Sequence, residues 1–140
     1  MKRAFVLGAL TIAAATLTGC ATQVKSLPLA AAGGESRGGA PVYFGTQNHP
    51  AVKRALGDVS YSVRIARKVS APDDACREAL AEAIGKLRAA AGERGANAVI
   101  DVKTRFHSSE SNSSQDFTCG VSPSAAAIAV SGRLVVLEAQ

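Results

Sequence analysis

SAPDDACREALAEAIGKLRAAAGERGANAVIDV, residues 70–102, is the stretch that decides the fold of this chain. Ser70, followed closely by a proline and two aspartates, is typical of a helix start, because a hydroxyl can cap a backbone N–H and carboxylates suit the positive end of the helix dipole. Gly95 is typical of a helix end, since the residue just past a helix often needs a positive φ. Apolar residues recur between these points at helical spacing, namely Cys76, Leu80, Ala83, Ile84, Leu87 and Ala91. We therefore predict one long amphipathic helix with one buried face.

The residues around this helix predict a sheet on which it packs. Residues 98–102 are apolar and rich in β-branched side chains, which favours a buried strand. Alternation of apolar with polar or small residues predicts another strand with one buried face, and its apolar members are Val59, Tyr61, Val63 and Ile65. The predicted fold class is α+β, with one long helix on a small antiparallel or mixed sheet in the order β-β-α-β-β-β.

The remaining strands and turns are predicted from shorter signals. Apolar runs predict strands at 41–45, 115–121 and 125–139. Ser131-Gly132 predicts a bulge or tight turn inside the last of these strands. Residues 51–56, which a glycine follows, are predicted to form a helical turn.

The first twenty residues predict export and a lipid anchor. A basic start and an apolar run that is too short to span a bilayer comfortably predict a secretory signal peptide over residues 1–19. Leu17-Thr18-Gly19-Cys20 resembles the bacterial lipobox, in which Cys20 would carry diacylglycerol and become the acylated amino terminus. The resemblance also implies sorting to the outer membrane of a Gram-negative bacterium, because Ala21 rather than aspartate follows the cysteine. A periplasm-facing lipoprotein is therefore expected.

The composition divides the mature chain into two parts. Residues 20–40 are rich in Ala, Gly, Ser and Thr, which predicts a lipidated amino terminus followed by a flexible tether, with a short docked segment at 25–29. Residues 41–140 are enough for one small domain with a single core.

Positive charge gives the sequence one candidate binding surface. Of the 16 basic residues, Lys2 and Arg3 belong to the leader, and 14 remain against 11 acidic residues. The candidate basic face consists of Lys53, Arg54, Arg64, Arg67 and Lys68. Such a face suits anionic lipid or an acidic envelope protein, and its alternative is a solvated strand face. Nucleic acid is disfavoured by the predicted compartment, and the oligomeric state is left open.

Three cysteines predict one anchor and one crosslink. With Cys20 assigned to lipid, Cys76 and Cys119 remain in a chain that is expected to reach an oxidising space, so we predict a disulfide between them. The alternatives are a redox-active pair or a metal site completed by a histidine. The sequence has no C-x-x-C motif, and His49 and His107 lie far from both cysteines. No cofactor is expected.

Catalytic residues give a weaker signal. The candidates are His49, Asp101, His107 and the serines of the polar stretch 108–114. Serines in a low-complexity loop are typically solvent-exposed, and no nucleophile, base and orienting group recur at a recognisable spacing. A non-enzymatic binding function is therefore expected, with a small hydrolase as a less favoured alternative.

Residues from about 42 to 136 resemble a family of small proteobacterial exported proteins often labelled "excinuclease ATPase subunit". The segments that carry the resemblance are Tyr43-Phe44-Gly45, Ala75-Cys76-Arg77, Gly95-Ala96-Asn97-Ala98-Val99 and Cys119. ATPase activity is not expected, since a P-loop needs G-x-x-x-x-G-K-[ST] and Gly85-Lys86 is followed by Leu87.

Two more distant resemblances bear on function. The lipobox, the tether, the helix-to-strand segment and the cysteines are similar to the outer-membrane stress-sensor lipoprotein of the Rcs phosphorelay, although that family has two disulfides and this chain has cysteines for one. The helix and the Gly-Ala-Asn-Ala-Val strand are also similar to YbjQ-type domains, which are described as heavy-metal-binding. Together the resemblances imply a lipid-anchored envelope module that binds or senses another envelope component, with metal binding as the alternative.

Overall fold

A computed structural model describes residues 21–29, 39–68 and 71–139 of the chain. Within these ranges the protein is α+β, with one helix and a mixed seven-stranded sheet. The elements in chain order are β1 (Gln23–Pro28), β2 (Val42–Phe44), β3 (Val52–Ala66), α1 (Pro72–Arg94), β4 (Ala98–Phe106), β5 (Ser109–Ser111), β6 (Asp116–Val121) and β7 (Ala125–Leu137). The predicted signal peptide, the lipobox with Cys20, residues 30–38 of the predicted tether and Ser70 lie outside the described residues.

The long strand β7 organises the sheet. One edge of β7 pairs antiparallel with β3 over the length of both strands. The other edge pairs with β4 and, nearer the start of β7, with β6. Beyond β6 lies β1, and beyond β4 lie the parallel strand β2 and the hairpin strand β5. Among the described residues, β3 is therefore the outer strand on one side of β7, and β1, β2 and β5 are the outer strands on the other side.

The helix covers one face of this sheet, and the predicted amphipathic stripe is confirmed. Pro72 opens α1, Ala71 is the N-cap without a side-chain hydrogen bond, and Gly95 ends the helix in the left-handed conformation at φ 70°. The buried helical residues are Ala75, Cys76, Ala79, Leu80, Ala83, Leu87, Ala90 and Ala91. Ile84, which belongs to the predicted stripe, is only partly buried against the core.

We call the sheet face beneath α1 the inner face and the opposite face the outer face. The inner face supplies most of the core, and its largest buried side chains include Phe117, Ile128, Val130 and Leu134. A smaller cluster of Ala98, Ile100, Val135 and Leu137 lies on the outer face at one end of the sheet, where Tyr43 packs against it. The rest of the outer face does not form part of either cluster.

Asn97 explains why the turn from helix to strand has its particular sequence. Its backbone N–H donates to the Val135 carbonyl at 3.0 Å. Its side-chain Nδ2 donates to the Leu137 carbonyl at 3.1 Å, and its Oδ1 accepts from the Leu137 N–H at 2.7 Å. The amide side chain thus bonds to both backbone groups of Leu137, as a residue of a neighbouring strand would, and it fixes the end of β7.

The predicted disulfide between Cys76 and Cys119 is confirmed. It joins the second turn of α1 to β6, with 5.9 Å between the two Cα atoms, and both cysteines are fully buried. The helix is thereby fastened covalently to the sheet at a point where its own packing is already tight.

Part of the predicted flexible tether is a strand, because β1 lies within residues 20–40. Gln23–Pro28 pairs antiparallel with β6 throughout its length, so this segment is part of the sheet. The predicted docked segment at 25–29 overlaps with this strand. Lys25 Nζ lies 2.6 Å from an oxygen of Asp73 in the first turn of α1. The hydrogen bond from Lys25 lowers the pKa of Asp73, and together these contacts hold β1 on the sheet and on the helix.

Three further predictions differ from the structure. The predicted helical turn at 51–56 is wrong, because Val52–Leu56 belongs to β3 and pairs with the end of β7. The predicted strand order lacks β1 and also β5, which forms a hairpin with β4 in the polar stretch. The irregularity predicted at Ser131-Gly132 lies on the facing strand β4. In each case pairing with another strand decides a structure that the local sequence does not specify.

Candidate functional site

The outer face of the sheet carries three rows of side chains that the strand register brings side by side. Ser60 of β3, Ser131 of β7 and Lys103 of β4 form one row. The next row consists of Ser62, Ala129 and Arg105, and the one after it places Arg64 opposite Ala127. Small residues therefore occupy the middle strand, with Lys103 and Arg105 on the β4 side of it and two serines and Arg64 on the β3 side.

A bulge in β4 places the two cations of this strand on the outer face. Ile100 pairs with Arg133 and Lys103 pairs with Ser131, so that Asp101 and Val102 together oppose the single residue Gly132. Asp101 adopts a positive φ of 52°. Because one extra residue reverses the alternation of a strand, Lys103 and Arg105 face outward after the bulge.

The side chains enclose a continuous depression, which we call the outer groove. It consists of three adjoining cavities with volumes of about 530, 310 and 290 Å³. The first and second share Ser60, Lys103 and Ser131 as lining residues, and the second and third share Ser62, Arg105 and Ala129. The groove therefore runs along β7, between a wall from β3 and a wall from β4 and β5.

The charges of the outer groove differ between its two ends. At one end, Arg133 lies 3.2 Å from Asp58 and 3.9 Å from Asp101, so its charge is matched by carboxylates. Towards the other end, the cations are Lys103, Arg105 and Arg64. Among the described residues, no carboxylate oxygen lies within 4.0 Å of a nitrogen of these three side chains. This end of the groove therefore carries positive charge that a bound anion can neutralise.

Glu110 is the carboxylate that lines this basic end. It lies opposite Arg105 in the β4–β5 register and lines the middle cavity together with Lys103. Its carboxylate oxygens form no ion pair within 4.0 Å of a nitrogen of Lys103 or Arg105. One carboxylate against three cations keeps the balance of this end positive.

The candidate basic face predicted from sequence is not one surface in the structure. Lys53 and Arg54 lie near Val136, close to the start of β3. Arg64 lies ten residues further along β3 than Arg54, which is about 33 Å by the rise of a strand, and Arg67 and Lys68 lie beyond the end of β3. Arg67 donates to the Ser122 carbonyl at 3.1 Å. Of the five predicted cations, Arg64 is the one that lines the outer groove.

Lys103 and Arg105 line the groove but do not belong to the basic face that was predicted from the sequence. Their spacing in the segment Val-Lys-Thr-Arg-Phe is that of a strand with one polar face, which is a usable signal. The prediction of a strand ending at 102 concealed it, since β4 continues to Phe106.

The catalytic candidates are not brought together. The ring of His49 lies 5.5 Å from that of Tyr43, at the end of the sheet where β4 begins, and His107 follows the last residue of β4. The length of β4 puts roughly 20 Å between the two histidines. Asp101 faces Arg133. Ser113 Oγ accepts backbone hydrogen bonds from residues 115 and 116, so it shapes the turn after β5.

Metal ligands are also not clustered within the part of the chain that the structure describes. No group of three or more His, Cys, Asp or Glu side chains in these residues is placed to hold a metal ion. The two thiols of the predicted alternative are joined in the disulfide. The residues described include no helix of sufficient length and apolarity to cross a membrane.

A second cavity, of about 590 Å³, lies on the helix side of the sheet. Its walls are largely apolar and include Phe44, Leu80 and Ile84. Leu29, the last described residue before residues 30–38, also lines it. Asp116 is the charged residue in its lining, and the cations that distinguish the outer groove are absent from it, so we take the groove as the candidate binding site.

Comparison of the chain with protein-family models, curated proteins and solved structures gave no match. The family resemblances drawn from sequence motifs therefore stay predictions.

Proposed function

We propose that this protein is a non-catalytic binding module of the cell envelope, anchored by lipid on Cys20, and that its outer groove holds an acidic, extended segment of another envelope protein. The lipobox resemblance supports the anchor and the outer-membrane location. The disulfide between two buried cysteines is in keeping with an oxidising compartment.

The unpaired cations of the outer groove carry the proposal of an acidic ligand. Lys103 and Arg105 stand on one wall and Arg64 on the other, without a carboxylate within 4.0 Å among the described residues. An acidic segment lying between the walls would neutralise this charge, and rim charges of this kind mainly accelerate association and select the partner.

The shape of the outer groove favours a polypeptide over a membrane surface. The floor is built from small side chains of one strand, Ala127, Ala129 and Ser131, and it follows that strand along its length. A groove that follows one strand over three cavities matches the elongated shape of an extended chain, whereas lipid headgroups in a bilayer present a broad surface.

Photo-crosslinking in living cells tests the groove directly. A photoreactive amino acid at Ala129, on the floor of the groove, is expected to capture a protein partner, and the double variant Lys103→Glu/Arg105→Glu should abolish the adduct. The matched control is Lys53→Glu/Arg54→Glu, which makes the same charge change outside the groove and should keep the adduct. Capture of lipid alone, or equal loss of the adduct in both double variants, would reject a groove for an acidic segment.

The anchor has its own test, which does not depend on the groove. Cells fed an alkyne analogue of palmitate should label the wild-type protein, and Cys20→Ala should lose both the label and recovery in the outer-membrane fraction. Labelling that persists in the variant would contradict acylation of this cysteine.

Metal binding through the cysteines has a separate readout. Alkylation of protein from the periplasm without reductant is expected to label neither Cys76 nor Cys119, since both thiols are in the disulfide. Two labelled thiols would favour the metal alternative.

A further inference from the structure

The strand β3 has an open edge. It pairs with β7 along one side, and no strand pairs with its other side among the described residues. Its register is irregular between Val52 and Gly57 and regular from Asp58 to Ala66. This regular part contains no proline and no lysine, the residues with which proteins commonly block an exposed edge. The edge is therefore a template for another strand.

The backbone groups available at this edge follow from one hydrogen bond. The Arg67 N–H donates to the Ser124 carbonyl at 2.8 Å, which continues the β3–β7 ladder by one residue. Successive residues of a strand direct their backbone groups to opposite sides. Odd-numbered residues of this part of β3 thus bond to β7, whereas Asp58, Ser60, Ser62 and Arg64 direct their N–H and C=O groups to the open edge.

The sequence of this edge is complementary to itself. Residues 58–64 read Asp-Val-Ser-Tyr-Ser-Val-Arg, with Tyr61 at the centre. In an antiparallel pair of two such strands related by a two-fold axis at Tyr61, each serine faces a serine and each valine faces a valine. Asp58 of one copy faces Arg64 of the other, twice. We propose that the protein forms a symmetric dimer by antiparallel pairing of β3 with β3 of a second copy, centred on Tyr61.

Charge selects this register among those that the backbone allows. Moving the axis to Ser60 places Asp58 opposite Ser62 and Arg64 opposite Leu56. Moving it to Ser62 places Arg64 opposite Ser60 and leaves Asp58 opposite an alanine. Parallel, in-register pairing sets each charge beside its own copy. The Tyr61 axis is the arrangement that pairs both charges, and opposite charges across strands are stabilising.

The dimer also has consequences on both faces of the sheet. Tyr61 is partly buried against the core on the inner face, and at the axis it meets Tyr61 of the second copy in a non-hydrogen-bonded pair, where side chains approach most closely. On the outer face, Arg64 and Asp58 belong to the groove wall. The two outer grooves therefore lie side by side and run in opposite directions, so that the Asp58 end of one adjoins the Arg64 end of the other. In the dimer Arg64 is matched by Asp58 of the second copy, and Lys103 and Arg105 remain to meet an acidic ligand.

Cysteine crosslinking of the full-length, exported protein tests the axis. Two Tyr61→Cys chains would have their Cα atoms about 4.5 Å apart, which is close enough for a disulfide between copies. Ile65→Cys is the matched control, since it is on the same strand face and roughly 25 Å from its own counterpart in this register. We expect a disulfide-linked dimer on non-reducing gels for Tyr61→Cys and none for Ile65→Cys. No dimer for either, an equal yield for both, or a higher yield for Ser60→Cys than for Tyr61→Cys, would overturn the proposal.

A charge swap tests the register through a different property. In the Tyr61→Cys background, Arg64→Asp sets a second carboxylate opposite Asp58 of the other copy and should lower the dimer yield about tenfold. Adding Asp58→Arg should restore most of the yield. Thermal melts of each variant show whether the domain stays folded. An undiminished yield in the Arg64→Asp variant, or no recovery in a folded double swap, would overturn the pairing of these two residues.

This dimer does not rest on the proposed ligand of the groove. Lys103→Glu/Arg105→Glu should abolish the protein adduct and keep the Tyr61→Cys crosslink. Loss of that crosslink in the folded groove variant would mean that a bound partner, and not β3 pairing, brings the copies together.

Discussion

Opening the Cys76–Cys119 disulfide is expected to lower the free energy of unfolding by about 4 kcal/mol. The two cysteines are 43 residues apart, and the entropy lost by the unfolded chain when a loop of this length is closed gives that value. A domain of this size has a total stability of about 5–15 kcal/mol, so the crosslink supplies a large part of it. At about 4–8 °C per kcal/mol, the melting temperature should fall by roughly 15–30 °C.

Urea unfolding followed by far-ultraviolet circular dichroism measures the effect. The oxidised and the dithiothreitol-reduced wild-type proteins should be compared first, because reduction opens the loop with little change in buried side-chain volume. The Cys76→Ala/Cys119→Ala variant should be less stable than the reduced protein, since it also removes two buried sulfur atoms. The urea dependence should steepen on reduction, because the unfolded chain becomes more expanded.

A difference of less than about 1 kcal/mol between oxidised and reduced protein would refute the loop-entropy reasoning. An unchanged urea dependence together with a large loss of stability would place the effect in the native state. In that case the disulfide would act by holding α1 on β6 and not by restricting the unfolded chain.

Three other substitutions test separate parts of the fold. Gly85→Ala should stabilise the protein by about 1 kcal/mol in urea unfolding, because a Cβ at this helical position meets no atom within 4 Å; a loss of stability would contradict this. Asn97→Ala should cost about 1–3 kcal/mol, since it removes two hydrogen bonds to Leu137, and an effect below about 0.5 kcal/mol would deny the side chain its bridging role. Lys25→Met should remove a part of the stability that depends on pH, because Lys25 lowers the pKa of Asp73 in the folded protein. This stabilisation is complete above the pKa of Asp73 in the unfolded chain. It is lost as the pH falls through the lower pKa of the folded protein. The stabilities of wild type and variant should therefore converge below about pH 4, and parallel pH profiles would contradict the contact.

The helix could be predicted because its signals lie within one stretch of sequence, and the disulfide could be predicted from the number of cysteines. The spacing of apolar residues identifies the buried face of α1, and Gly95 marks its end, without any knowledge of the partner strands. Three cysteines, one of them assigned to lipid, leave a single pair. Neither inference needs the register of the sheet.

The strand β1 and the first half of β3 could not be predicted in the same way. Gln23–Pro28 contains polar residues and ends in proline, and it is a strand because β6 offers it a complementary edge. The first half of β3 carries exposed polar side chains and two register shifts, so its alternation is obscured. Both segments owe their structure to pairing with distant residues, which a sequence pattern does not record.

The outer groove depends on a single extra residue in β4, and for this reason its cations were the hardest feature to predict. Counted by strict alternation from Val99, which faces the helix, Lys103 and Arg105 would also point into the core, where unpaired charges are very costly. The bulge brings Val102 back to the inner face and turns both cations outward. Gly132 makes this compatible with packing, because a Cβ at that position would lie 2.7 Å from Val99 Cγ1 and 3.1 Å from Val102 Cγ2. Gly132, which predicted a bulge in its own strand, thus leaves the room that the bulge of β4 needs, and this bulge is what exposes Lys103 and Arg105 in the groove.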